Sequence, residues 1–370
     1  MVPPMSLSSP PALETLIAKA PDLMGLGQRP ADASQWLSAG SDCGIEGLVP
    51  FLAAAGLLSV PEQILTVATE RLRSAHNEQA FYRLLAQEAI GAMAACGIAV
   101  VQLKGSALAD RVYPPQLARR CTDTDLLVLP QDFERAEQAL RTLDYVERSA
   151  KLAAFQRRHH HDVQFVRPAS PPLDLHSCAL LAFGTAIATS EVMDAPGQLE
   201  PHAELIYLAA HAAAHNFERP VWTVDLALFI RAHPQLQVKR LDQLAAQWHL
   251  TRAWRHAQQH LKKSLGDSAL PWPVASPTAV DRLSQAAFSR YQQRERHDFQ
   301  RFLWYSACGL SHCDNLWRAN WMGQFIALRA AGDLATQLGL HHPAQWPPLP
   351  GRPPPWSMPV SQTSRQVPRI

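Results

Sequence analysis

The sequence predicts an α+β protein, a small mixed sheet flanked by helical regions, and two observations carry that expectation. Apolar residues recur at three- and four-residue steps before residue 96 and again after residue 201, the spacing of a single helix face. Between these stretches, short β-branched runs alternate with Gly- and Pro-containing turns, the pattern of strands. The chain has 370 residues, of which 47% are apolar and 18% charged. That is enough to bury a sizeable core without disulfide or metal staples.

Residues 12–58 read as short helices joined by Gly and Pro. In residues 61–96, Ile64, Leu65, Ala68 and Leu72, then Phe81, Leu84, Leu85, Ala89 and Met93, keep helical spacing between Pro61 at the start and Gly97 at a C′ position. A break near 74–77 is expected to divide this run into two helices. "IAVVQL" (98–103) and "DLLVL" (125–129) read as strands, and 131–143 reads as a helix with an acidic first turn. "DVQFVRP" (162–168) and "LDLHSCAL" (173–180) alternate like strands across a Pro-rich turn.

From Pro201 the helical period returns, in "HAELIYLAAHAAAH" and "WTVDLALFIRAH", and a further helix is expected to open at Ser276 as N-cap with Pro277 at its first position. A helix over 314–338 carries Trp317, Trp321, Phe325 and Leu328 on one face, a stripe read as core. The division expected is a helical N-terminal region (1–75), a catalytic core (76–195), a helical C-terminal domain (196–340) and a Pro-rich, disordered tail (341–370).

The formal net charge of +2 gives no electrostatic reason for a long nucleic acid as partner. Six cysteines are scattered without a CxxC pair, which argues against a disulfide framework or a zinc ribbon and fits a reducing cytoplasm. No leader pattern opens the chain and no apolar run is long enough to span a bilayer. Neither secretion nor a membrane partner is expected.

The chemistry concentrates in residues 103–130. Lys104, Gly105 and Ser106 stand where a strand hands over to a helix, and a helix N-terminus offers unpaired N–H groups to a phosphate. Asp123 and Asp125 are two residues apart and share a strand face. Two carboxylates held so close share a proton or hold a hard cation, and oxygen ligands favour Mg²⁺ or Mn²⁺. Asp174 lies in a second strand; if the strands are neighbours, the three carboxylates make a triad that holds two metal ions. Arg119 precedes Asp123 by four residues and is expected to grip phosphate oxygens. Replacing Asp123 and Asp125 by Asn is expected to spare the fold.

The ordered run Lys104-Gly105, Tyr113-Pro114, Arg119, Asp123-x-Asp125 and Asp174-Leu175-His176, followed by "HAELIYLAAHAAAHNFERPVWTVDLALFI", resembles an uncharacterised bacterial nucleotidyltransferase family of the DNA polymerase β superfamily. The resemblance covers roughly residues 75–235. It implies a minimal nucleotidyltransferase core in which Gly105 and Ser106 bind the phosphates of a nucleoside triphosphate such as ATP, Asp123 and Asp125 hold the metals, and Asp174 activates the acceptor hydroxyl. The acceptor, a small molecule, peptide or protein, is not legible.

The sixteen histidines supply a rival. His159, His160, His161 and Asp162 resemble the His-Asp core of a metal-dependent phosphohydrolase, with His211, His215 and Asp225 completing a set. That core belongs on a helix, whereas "HHHDVQFVRP" alternates toward β. His176 is read as a hydrogen-bonding neighbour of Asp174, and His176, His211, His215 and Asp225 as an acceptor pocket. A zinc reading of Cys308, His312 and Cys313 lacks paired ligand spacing. A third possibility is a nucleotide-binding protein on the same fold without turnover.

Overall fold

The computed structural model of the chain describes residues 44–54, 56, 58–149, 157, 161–195, 197–292, 306–314 apart from 308, and positions 35, 37, 38, 319 and 323. The expected 314–338 helix and the Pro-rich tail therefore lie outside the described residues, apart from three positions of that helix.

Strand β1 (Ile45–Glu46) and helix α1 (Leu48–Ala54) lead into α2 (Glu62–Ala95). α2 is one uninterrupted helix, so the expected break near 74–77 does not occur. Buried Ala75 and Tyr82 keep the inward face continuous across it. Pro61 stands at its N-cap, and Gly97 closes it with a left-handed φ of 70°. The Gly97 amide donates to the Ala94 carbonyl at 2.9 Å and that of Ile98 to Met93 at 3.1 Å.

β2 (Val100–Gln102), α3 (Gly105–Val112), β3 (Ala118–Arg119), β4 (Thr124–Val128), α4 (Phe133–Arg141), β5 (Val146–Glu147), β6 (Asp162–Val166) and β7 (Leu173–His176) follow. Five of these strands form one sheet in the order β2-β4-β7-β6-β5. The central pair β4 and β7 is parallel, with Asp125 opposite Asp174; the other pairs are antiparallel. The run expected over 173–180 is split at Ser177: β8 (Cys178–Ala182) pairs with β9 (Thr185–Ala188) in a separate ribbon.

The period of two along β4 and β7 assigns the sheet's faces. Leu126, Val128, Leu173 and Leu175 point to one face and pack on α2 and α4 through Ala89, Met93, Phe133, Ala136 and Leu140. Asp125, Leu127, Asp174 and His176 therefore point to the other. There Leu127 joins Leu108 of α3, the β8–β9 ribbon and the helices beyond.

Those helices begin after a short helix, α5 (Thr189–Val192), and a ribbon of β10 (Met193–Ala195) and β11 (Gln198–Leu199). α6 (Pro201–Ala214) and α7 (Pro220–Ala232) are buried on nearly every side, as helices apolar all round must be. α8 (Val238–Gln247) and α9 (Thr251–Leu265) cover them, and α10 (Ala279–Gln292) follows. α10 opens later than expected. Its cap is Thr278, whose hydroxyl accepts from the Asp281 amide while Asp281 accepts from the Thr278 amide, a reciprocal pairing that Ser276 does not make.

Ion pairs join the helices to the core. Arg111 of α3 binds buried Glu204 of α6 through both guanidinium NH groups, and Arg119 of β3 binds buried Asp225 of α7.

Candidate active site

The site forms where β2 ends and β4 and β7 begin, beside α3. Gly105 starts α3 with φ 63°, a left-handed conformation that a β-carbon disfavours. The turn leaves the α3 amides at the mouth of the sheet. Ser106 is buried, and its hydroxyl accepts from Gln102 Nε2 at 3.0 Å.

Asp123 stands just before β4, Asp125 within it, and Asp174 directly across on β7. One carboxylate oxygen from each lies within 4.8 Å of the others, so the expected triad assembles. Three hard oxygen donors at this spacing suit a small divalent cation. Among the described residues no other trio of His, Cys, Asp or Glu has such a geometry. Neither His161 and Asp162 with His211, His215 and Asp225, nor the described part of the Cys308, His312 and Cys313 cluster, forms one.

Asp125 is only 3% exposed and already neutralised. Lys104 Nζ lies 2.8 Å from its Oδ2 and His176 Nε2 3.0 Å from its Oδ1. Burial favours the protonated acid, but the Lys104 ammonium and the His176 hydrogen bond outweigh it and hold Asp125 well below the carboxylate range. Lys104 is the mirror case: burial works against its charge, and Asp125 more than restores it. His176 is raised for the same reason, burial being outweighed by Asp125 and then by Asp162 and Asp174. Its partner is thus Asp125 rather than Asp174. Each Asp125 oxygen keeps a lone pair beyond these contacts, so the triad still fits a metal.

Asp174 accepts from Gln164 Nε2 at 2.9 Å, and burial pushes it up to about 6. Asp123 is half-buried, with Thr122 Oγ1 at 3.3 Å. The pair sought in the sequence is therefore asymmetric, one member clamped by an internal cation and the other open.

A cavity of about 210 Å³ lies against this cluster, lined by Lys104, Gly105, Arg119, Thr122, Asp123 and the α6–α7 residues His211, His215, Arg219 and Trp222. His211 is held well below its ordinary value by burial, then by the charges of Lys104 and His215, so it is a neutral imidazole. The two imidazoles are 4.7 Å apart between ring centres, and Trp222 lies 5.5 and 5.0 Å from them.

Two residues expected in an acceptor pocket have other engagements. His176 binds Asp125, and Asp225 accepts from Arg119 Nε at 2.9 Å, from Arg119 Nη2 at 2.9 Å and from the Tyr113 hydroxyl at 2.8 Å. The Arg119 guanidinium reaches the cavity wall, yet its Nε and Nη2 donors are engaged by Asp225. Sequence reasoning does not single out Thr122, Arg219 or Trp222. The signal for the last two was present: Pro220 at the first position of α7 puts residues 219 and 222 at that helix's start.

A carboxylate triad at the amino ends of the parallel strands β4 and β7, beside a glycine-opened helix, offers three oxygen ligands to a divalent cation next to unpaired helix amides. The chain belongs to a family of uncharacterised nucleotidyltransferases, whose model matches residues 45–266, more than half of its length. No curated protein and no solved structure matches the chain. Among the described residues no helix is long and apolar enough to cross a membrane.

Proposed function

We propose that the protein transfers a nucleoside monophosphate from a nucleoside triphosphate to a hydroxyl-bearing acceptor, with release of pyrophosphate. The observation that carries this reading is the triad of Asp123, Asp125 and Asp174, within 4.8 Å of one another, whose Asp123 lines the same cavity as Gly105. Mg²⁺ or Mn²⁺ would be held by these three carboxylates, and when bound it supplies Lewis-acid polarisation of the α-phosphate and lowers the acceptor's pKa.

The chain's own residues do the rest. The amides of the α3 N-terminus, with Gly105 allowing close approach, hold phosphate oxygens. Ser106 shapes that turn through Gln102. Asp174, raised by burial to about 6, takes the acceptor proton as the oxygen attacks phosphorus. Lys104 and His176 hold Asp125 in place. His211, neutral and beside Lys104, with His215 forms the acceptor side of the cavity. The region 76–195 is the catalytic core, and the helical region 196–340 shapes the acceptor site. A small molecule, peptide or protein in the cytoplasm fits the near-neutral charge better than a long nucleic acid.

The test supplies a nucleoside triphosphate labelled at the α-phosphate, Mg²⁺ and fractionated acceptors. Metal-dependent pyrophosphate release with label on an acceptor, lost in Asp123→Asn, supports the assignment. Release of inorganic phosphate from a phosphoester without an acceptor would favour a phosphohydrolase instead.

A further inference from the structure

We propose that Arg219 is the cation that holds the terminal phosphates of the bound triphosphate, the part that sequence spacing assigns to Arg119. This rests on the nucleotidyl-transfer reading and adds to it a residue that neither the triad nor the Lys-Gly motif contains.

Arg119 has little to offer a phosphate. Its Nε and Nη2 both donate to Asp225, and its Nη1 lies nearest the Arg120 carbonyl and Cys121 Sγ. Moving the guanidinium to a ligand would leave Asp225, 2% exposed, as a buried carboxylate stripped of its cation.

Arg219 is in the opposite state. It lines the same cavity, and among the described residues its guanidinium meets no carboxylate. It lies over the Trp222 ring, 5.8 Å from the guanidinium carbon to the ring centre. Arginines 83, 111, 119, 120, 135, 141, 157 and 167 each face an Asp or Glu. An arginine on a cavity wall beside a site for phosphate, kept from acidic neighbours and steadied on an indole, is free to form bidentate contacts to phosphate oxygens.

Its mounting is strained. Arg219 is the N-cap of α7, and the turn that delivers it from α6 holds two successive non-glycine residues in left-handed conformation, Asn216 (φ 51°) and Phe217 (φ 47°). The Asn216 side chain is 1% exposed with neither amide atom hydrogen-bonded. Such conformations persist where the surroundings over-determine them and cluster at ligand clamps. The turn fixes His215 and Arg219 on the cavity, so the triphosphate lies between the α3 N-terminus and Arg219.

In the reaction the acceptor oxygen–phosphorus bond forms as the bond from the α-phosphorus to its bridging oxygen breaks. Pyrophosphate leaves with that electron pair and Asp174 receives the acceptor proton. Arg219 meets the negative charge that grows on the leaving pyrophosphate.

The experiment titrates inorganic tripolyphosphate, which has no base or sugar, with Mg²⁺ into the intact protein, Arg219→Met and Arg219→Lys, alongside the nucleoside triphosphates. Arg219→Met is expected to weaken tripolyphosphate binding by at least about tenfold and Arg219→Lys to recover part of it. The melting temperature should change little, because among the described residues Arg219 has no ion pair to lose and only its contact with the Trp222 ring is given up. Equal binding by Arg219→Met and the intact protein would overturn the assignment to Arg219 while leaving nucleotidyl transfer standing. Failure of the intact protein to bind either tripolyphosphate or any nucleoside triphosphate would overturn both.

Discussion

The Lys104 ammonium lies 2.8 Å from Oδ2 of Asp125, so the carboxylate cluster carries its own counterion. Removing it in Lys104→Met leaves Asp125 buried and charged opposite Asp174. Breaking a buried pair from one side costs roughly 3–5 kcal/mol, and the variant should melt at lower temperature. Added Mn²⁺ should recover more of the melting temperature in Lys104→Met than in the intact protein, because the ion meets carboxylates no longer held by an ammonium. Melts with and without Mn²⁺ measure this, and equal metal-induced shifts would contradict it.

The same ion pair changes how the triad can be tested. Sequence alone suggests that Asp125→Asn merely relieves repulsion. Because Asp125 accepts from both Lys104 and His176, that change instead strands a buried ammonium and lowers stability. Among the described residues Asp123 has the Thr122 hydroxyl as its hydrogen-bond partner and no cation clamped to it, so Asp123→Asn should leave the unfolding free energy within about 0.5 kcal/mol of that of the intact protein. Urea denaturation of the two single variants separates them.

Arg119 and Asp225 bolt the core to α7. Arg119→Met should cost roughly 3–5 kcal/mol of stability, and Tyr113→Phe, which loses a hydrogen bond to a charged acceptor, roughly 2 kcal/mol. A residue reserved for phosphate would show no such cost. Denaturant midpoints of the two variants in the absence of nucleotide decide between these roles.

How much of this was legible in the sequence follows from which forces act locally. Strands β2, β4 and β6, helices α6 and α7, and, apart from the break expected near 74–77 and the split at Ser177, α2 and β7 were readable because their periodicity and caps are local signals. So was the site's carboxylate triad, since Asp123 and Asp125 share a face wherever that segment is a strand. Its third member needed the parallel pairing of β4 with β7, which no residue announces. The partners of Arg119 and His176 were misread because Asp225 lies 106 positions from Arg119 and Asp125 lies 51 from His176. The capping of α10 was misread by two residues because Ser276 and Thr278 carry the same local signal, and Asp281 decides between them.

His256 and His260 are buried in the helical region and depressed by burial to about 4 and about 3. Depressed histidines stay neutral in the folded chain while the unfolded chain takes up protons below its ordinary value of 6.5. The unfolded state therefore binds more protons between pH 6.5 and about pH 4, and stability falls as the pH falls through that window. From pH 7 to pH 5 the loss should be on the order of 2 kcal/mol per imidazole. Urea midpoints across this range measure it, and a flat profile would contradict the neutral assignment.

The central claim is that the triad and the glycine-opened helix form a metal-dependent nucleoside triphosphate site. Isothermal titration of the four nucleoside triphosphates into the protein, with and without Mg²⁺, beside Asp123→Asn, tests it most directly. The account predicts binding of at least one triphosphate that requires Mg²⁺ and is lost in a folded Asp123→Asn variant. Binding indifferent to both metal and Asp123, or no binding at all, would contradict it.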